Sequence, residues 1–202
     1  MKLFYAPGTC SLAPHILLRE TAAEFQLERV DLKRRQTASG ERLDVTNPKG
    51  KVPVLETDDG SLLTEGAVIA QYVAERAAAR RLLPAPGDPA RYRVLEWQTF
   101  VTTELHKSYS PLFHPALDAA SKQVFAADLR RKYEWVDARL AGADYLTGPE
   151  FTVADAYLYA VSRWAPAVGV EIGDLPDLQA CLARIAARPA VQAALEAEGL
   201  RA

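Results

Sequence analysis

The sequence predicts an α/β domain followed by an all-helical domain, on three observations. Residues 1–80 switch between short alternating stretches and helical periodicity, in the order β-α-β, a short irregular helix, then β-β-α. Residues 80–89 then gather Pro84, Pro86, Gly87 and Pro89, the composition of a linker. Beyond it no strand signal survives, and the chain is rich in Ala, Leu, Arg and Glu at helical spacing. The expected units are residues 1–80, a linker at 81–88, and helices over 89–202.

Residues 2–5 read as a short strand. Residues 11–23 read as a helix with Ile16, Leu17 and Leu18 on its buried side. Residues 27–32 alternate apolar and charged side chains, which suits a strand. Segments 52–57 and 61–63 flank Asp58-Asp59-Gly60, a hairpin signal. Residues 65–76 return to helix, with Val68, Ile69, Tyr72 and Val73 at helical spacing. A strand–helix–strand start closed by a hairpin implies a mixed sheet covered by helices. Past the linker, helices are expected at 89–117, 121–141, 153–166, 176–187 and 189–198, with Pro111 and Pro115 bending or ending the first.

Composition narrows the function. A net charge of −2 gives no reason for bulk binding to nucleic acid or a membrane surface. No apolar run approaches the ~20 residues of a membrane span, and the first residues lack the apolar core of a secretion signal. Two cysteines in 202 residues argue against a disulfide scaffold and for a reducing cytosol. Three widely spaced histidines and two cysteines offer no metal-ligand spacing.

Cys10 lies between a predicted strand and a predicted helix, in Gly8-Thr9-Cys10-Ser11. Unpaired N–H groups at a helix start favour an anion, and a thiol there is expected to fall from ~8.5 into the range ~3.5–7.5. The alternative is a small buried apolar side chain. The context resembles a redox-active thioredoxin fold, but Ala13 stands where a C-x-x-C motif has its second cysteine. A lone thiol takes an external thiol as its partner.

Two further segments suit a peptide-like ligand. In Lys51-Val52-Pro53-Val54, a cis Val52-Pro53 bond would turn the Val52 backbone outward; an ordinary edge-strand proline is the alternative. The basic run Lys33, Arg34, Arg35, Arg42, Lys49 and Lys51 is either a solvated face or a frame for carboxylates. In Thr64-Glu65-Gly66-Ala67, Thr64 suits an N-cap and the N–H groups of Gly66 and Ala67 suit a carboxylate. Glu65 suits an ammonium group, so together they match an α-amino-acid end. A helix-start Glu satisfying the dipole is the alternative.

These segments, in this order, resemble the glutathione transferase family over essentially the whole chain. Cys10 together with Thr103-Glu104-Leu105-His106-Lys107 resembles its bacterial beta class. The resemblance implies a thioredoxin-like domain joined to a helical one, with Cys10 against the glutathione sulfur and His106 nearby. It implies that Val52, beside Pro53, pairs with the cysteinyl unit, that Glu65 and Gly66 hold the γ-glutamyl end, and that Arg35 lies near the glycyl carboxylate. Tyr5 and Lys107 join that set, and Thr103 and Glu104 are site residues that a partner subunit can supply. Gly66 replaces the usual serine, and Thr99 stands where asparagine is common. Thr152 and Asp155 have capping-box spacing, a structural and non-catalytic motif. Trp164 and Arg163 are candidates for the second-substrate pocket or for core, and Cys181 for core. His15 and His114 have no supporting context.

The implied activity is transfer of glutathione, as co-substrate and without a bound cofactor, to a small hydrophobic electrophile by a homodimer. Two alternatives stand beside it. One is a glutathione-dependent thiol oxidoreductase or reductive dehalogenase in which Cys10 itself attacks. The other is a non-catalytic binding or adapter protein that keeps the fold.

Overall fold

The computed structural model describes residues 1–201. Strand β1, Lys2–Tyr5, is the centre of the sheet. It runs parallel to β2, Gln26–Asp31, and antiparallel to β4, Val54–Glu56. The edges are β3, Gln36–Thr37, on β2, and β5, Leu62–Thr64, on β4, giving the order β3-β2-β1-β4-β5. Side chains alternate across a strand, and here each face has its own core. Leu3 and Tyr5 face helices α1, Leu12–Glu20, and α3, Gly66–Arg76. Phe4 and Ala6 face Val30, Val54 and Leu43, the last on the short helix α2, Leu43–Thr46.

The hairpin forms at Asp58-Asp59-Gly60 as the sequence signals. Gly60 sits at φ +80°, and the Thr57 N–H donates to the Ser61 carbonyl at 2.9 Å. Strand β4 starts only at Val54, because Pro53 has no N–H to give the ladder. Helix α1 is shorter than the expected 11–23, ending where the Thr21 hydroxyl donates back to the Leu17 carbonyl at 2.9 Å. Thr64 is not the cap of α3: that position falls to Glu65, and the Thr64 hydroxyl accepts from Lys49 at 2.9 Å.

In the helical region, α4, Pro89–Phe100, begins at Asp88, whose carboxylate accepts the Ala90 N–H at 2.9 Å. The helix expected over 89–117 does not continue as one. A π-helical stretch, Val101–His106, follows, then α5, Tyr109–Phe113. Three β-branched residues, Val101, Thr102 and Thr103, fall at the change. The Thr102 and Thr103 hydroxyls donate to the carbonyls four residues earlier, at 2.7 and 3.0 Å, a pattern that bends helices. Pro111 is accommodated within α5, and the chain leaves helix at His114, before Pro115.

The remaining helices are α6, Ala119–Leu140, α7, Val153–Ser162, α8, Pro176–Ala186, and α9, Pro189–Glu198. Helix α7 ends four residues short of its expected end at 166, and a 3-10 turn over Pro166–Val168 follows. It is buried along its whole length and lies against α1, which α9 also meets. Cys181, on α8, is fully buried as expected of core. No helix among the described residues is long and apolar enough to cross a membrane.

The start of α7 carries the expected capping box. Asp155 is fully buried, and its carboxylate accepts from the Thr152 N–H at 2.8 Å, the Thr152 hydroxyl at 2.7 Å and the Leu146 N–H at 2.9 Å. Burial pushes its pKa up to about 6 against these bonds. Thr152→Ala is therefore expected to cost ~1 kcal/mol, a fall in Tm of ~2–4 °C. Asp155→Ala leaves buried donors unpaired and is expected to cost more, ~1–3 kcal/mol per orphaned donor. Thermal denaturation of the two variants checks the order, and equal melting points would contradict it.

Candidate active site

A cavity of about 700 Å³ opens where the sheet domain meets α5, α7 and the π-helical stretch. Its floor is the turn after β1. Both backbone polar atoms of Gly8 are held from the helical region: the Trp164 indole N–H donates to the Gly8 carbonyl at 2.8 Å, and the Gly8 N–H donates to Glu198 at 3.0 Å. Cys10 follows, half-buried in the cavity wall, and its thiol donates to the Val52 carbonyl at 3.6 Å.

The Cys10 thiol departs from the sequence expectation. It lies two residues before α1, and burial pushes its pKa up to about 11, against a backbone hydrogen bond and the charges of Lys51 and Lys107. Desolvation of a thiolate outweighs the helix start here. Cys10 is therefore a thiol, a hydrogen-bond donor, across the neutral range.

The second wall is the segment before β4 together with the start of α3. The Val52-Pro53 bond is cis, and Val52 and Pro53 both line the cavity. Glu65 adopts φ +67° and ψ 112°, a conformation costing ~1–3 kcal/mol for a residue with a side chain and typical of ligand-holding positions. The Glu65 carbonyl accepts the N–H groups of Val68 and Ile69, while the earlier N–H groups, of Gly66 and Ala67, have no acceptor within the helix. Lys49 donates to the Glu65 carboxylate at 2.7 Å and holds its pKa below the usual range. A side-chain carbon at Gly66 would stand 3.5 Å from Pro53 and 3.9 Å from the Tyr157 hydroxyl, ordinary contacts.

The basic run divides. Arg34 and Arg42 pair with Asp31 and Asp44, whereas Arg35, Lys49 and Lys51 line the cavity. Arg35 reaches it by crossing Gly50, which sits at φ +64°; a side-chain carbon there would collide with the guanidinium.

The third wall is helical. His106 and Lys107 line it together with Thr102, Tyr109, Phe113, Tyr157 and Trp164. The His106 ring meets Trp164 edge-on at 5.0 Å, and Tyr109 meets Trp164 at 5.3 Å. Burial, then Lys107 and Lys51, lower the His106 pKa to about 4, so the imidazole is neutral at pH 7. Its Nδ1 lies 2.6 Å from the Tyr157 hydroxyl.

Of the residues expected at the glutathione and second-substrate sites, Cys10, Arg35, Val52, Pro53, Glu65, Gly66, His106, Lys107, Arg163 and Trp164 all reach this cavity. Three do not. Tyr5 is buried in the core, its ring 6.0 Å from His15. Thr103 and Glu104 fall outside the cavity walls of the chain, Thr103 on its own helix at Thr99 and Glu104 against Lys132 at 3.1 Å. The π-helical stretch turns Thr102 to the cavity instead. His15, without context in the sequence, is fully buried between Glu198 at 2.9 Å and Arg19 at 3.0 Å. Tyr157, Tyr109 and Phe113 were missed because aromatic residues on apolar helices read as core. Glu198 was missed because only folding brings it to Gly8, 190 residues away.

The state of Cys10 is directly measurable. Alkylation of the free protein with iodoacetamide is expected to rise with pH beyond pH ~9, since only the thiolate attacks. A rate that levels off below pH ~8 would contradict a desolvated thiol.

Comparison with known proteins agrees with this architecture. Residues 1–75 match the family "Glutathione S-transferase, N-terminal domain", and residues 100–189 the family "Glutathione S-transferase, C-terminal domain". A glutathione S-transferase of Escherichia coli O157:H7, GstA, is 45% identical over 201 residues, 100% of both chains. The solved structure of a sphingomonad glutathione S-transferase complexed with glutathione is 46% identical, covers 100% of both chains and has a TM-score of 0.95. That of the bacterial beta class enzyme of Sphingomonas chungbukensis is 41% identical at the same coverage and TM-score 0.95. The chain belongs to the glutathione S-transferase family, in its bacterial beta class.

Proposed function

We propose that the protein conjugates the thiol of glutathione to small hydrophobic electrophiles, as a cytoplasmic detoxifying homodimer. The observation that carries this reading is the meeting of Glu65, the Val52 backbone and Cys10 on one cavity, with the Cys10 thiol on the Val52 carbonyl. Glutathione matches that arrangement group by group. Its ammonium suits Glu65, and its γ-glutamyl carboxylate suits the free N–H groups at the start of α3. The Val52 peptide suits its cysteinyl unit. Arg35 suits its glycyl carboxylate.

The sulfur then falls beside Cys10, His106, Lys51 and Lys107. Two ammonium groups and a thiol donor favour the glutathione thiolate, the form that attacks an electrophile. Phe113, Tyr109 and Trp164 offer the electrophile an apolar wall. Glutathione is a co-substrate in this scheme, and no prosthetic group is needed. The raised Cys10 pKa favours conjugation over the oxidoreductase reading, which needs Cys10 itself as thiolate. Two free cysteines suit a reducing compartment.

The dimer is supported by the outer side of the helical region. Tyr92, on α4, is 67% exposed, and Trp135, on α6, is 43% exposed against Trp97 and Phe100. Apolar aromatic surface of this kind suits an interface between copies. Thr103 follows on the same run of helix, so a partner could bring it to a neighbouring cavity.

Glu65→Ala removes the partner of the ligand ammonium. Charge-assisted hydrogen bonds of ~1.5–3 kcal/mol correspond to a ~10- to 150-fold rise in Kd for glutathione. Calorimetry checks this, and unchanged affinity would take Glu65 out of the site. Light scattering at micromolar concentration is expected to give twice the chain mass of 22.1 kDa; the monomer mass would remove the dimer.

A further inference from the structure

We propose that Tyr157 is a positioning residue that fixes the tautomer of His106, so that the imidazole offers an Nε2–H donor to the cavity. The inference rests on the proposed function for its ligand, since the glutathione sulfur is what that donor would meet. It rests on geometry for its direction.

A neutral imidazole has one N–H and one acceptor nitrogen, and the bond made by one nitrogen decides the state of the other. The Tyr157 hydroxyl lies 2.6 Å from Nδ1. Tyr157 is buried on α7, and burial first, then the neighbourhood of Cys10, pushes its pKa well above the usual tyrosine value. Its hydroxyl keeps its proton and must place it on an acceptor. Thr102 gives its own proton to the Gln98 carbonyl at 2.7 Å and so has none for Tyr157, and among the described residues its oxygen is not in hydrogen-bond geometry to accept from the Tyr157 hydroxyl either. Nδ1 of His106 is the acceptor in hydrogen-bond reach, so Tyr157 donates and Nδ1 is unprotonated. The imidazole proton then resides on Nε2, for which the described residues provide no hydrogen-bond partner.

The surroundings keep the imidazole neutral. Lys107 follows it on the same helix, Lys51 faces it from the segment before β4, Cys10 from the turn after β1, Glu65 from the start of α3 and Arg163 from the end of α7. Three of these are cations, and Lys51 and Lys107 oppose a charged ring. A neutral donor held by a tyrosine stabilises a thiolate without handing it a proton, which an imidazolium would do.

The test combines a readout independent of activity with one that depends on it. Nitrogen-15 NMR of the free protein reports which His106 nitrogen is protonated. The expected result is Nε2–H in the native protein and a shift towards Nδ1–H in Tyr157→Phe. A native Nδ1–H tautomer, or an unchanged one in the variant, would overturn the proposal whatever the enzyme does. In turnover, Tyr157→Phe is expected to move the acid limb of the kcat/KM profile to higher pH and to lower kcat by ~10-fold or more, with KM for glutathione changed less than ~2-fold. In a His106→Asn background, whose amide carries its own donor, adding Tyr157→Phe should leave the acid limb where it is. A further shift there would show that Tyr157 acts otherwise, and the proposal would fall. Absence of conjugation by the native protein would instead count against the proposed function, with the NMR result still deciding the tautomer.

Discussion

The site depends on one residue, Gly8, gripped from the opposite domain at both its backbone polar atoms. The Trp164 indole N–H holds the carbonyl, and Glu198 accepts the N–H. Glu198 is itself fully buried, where an uncompensated carboxylate is costly. Its second oxygen therefore meets His15 at 2.9 Å, and His15 accepts from Arg19 at 3.0 Å. The chain of bonds runs from α1 through α9 to the turn that carries Cys10. Breaking any link leaves a buried polar group unpaired, so the turn has one position, fixed only when both domains are folded.

That fixed turn explains why the cavity works by donors rather than by a reactive protein thiol. Cys10 is half-buried with its thiol on the Val52 carbonyl, and desolvation exceeds the help of the helix start and two lysines. The same lysines remain available to a ligand sulfur. His106, on the same cavity, is kept neutral for the same reason. A site with two cations, a thiol donor and a neutral imidazole suits an anion supplied by the ligand.

Much of this was legible in the sequence because it is local. The order of strands and helices, the Asp58–Gly60 turn, the Thr152–Asp155 box and the cis Val52-Pro53 bond each rest on a few neighbouring residues. So does the gathering of Cys10, Glu65 and Val52 at strand ends and helix starts. What was not legible depends on burial or on distant contacts. The Cys10 pKa was expected low from a helix-start rule, and only the surrounding protein reverses its direction. Helical periodicity runs unbroken through 89–106, so the π-helical stretch that exchanges Thr103 for Thr102 leaves no mark beyond a β-branched cluster. Tyr157 has the signature of core, and it is buried; that its hydroxyl faces His106 is a fact of tertiary structure.

The central claim is that the cavity stabilises the thiolate of bound glutathione. An ultraviolet difference titration of the complex, following thiolate absorbance against pH, tests it most directly. The protein's own thiols do not interfere, because Cys10 and Cys181 are pushed up to about 11 and about 12. The account predicts that bound glutathione ionises at least ~1 pH unit below the ordinary thiol value of ~8.5. Ionisation at or above that ordinary value would contradict it.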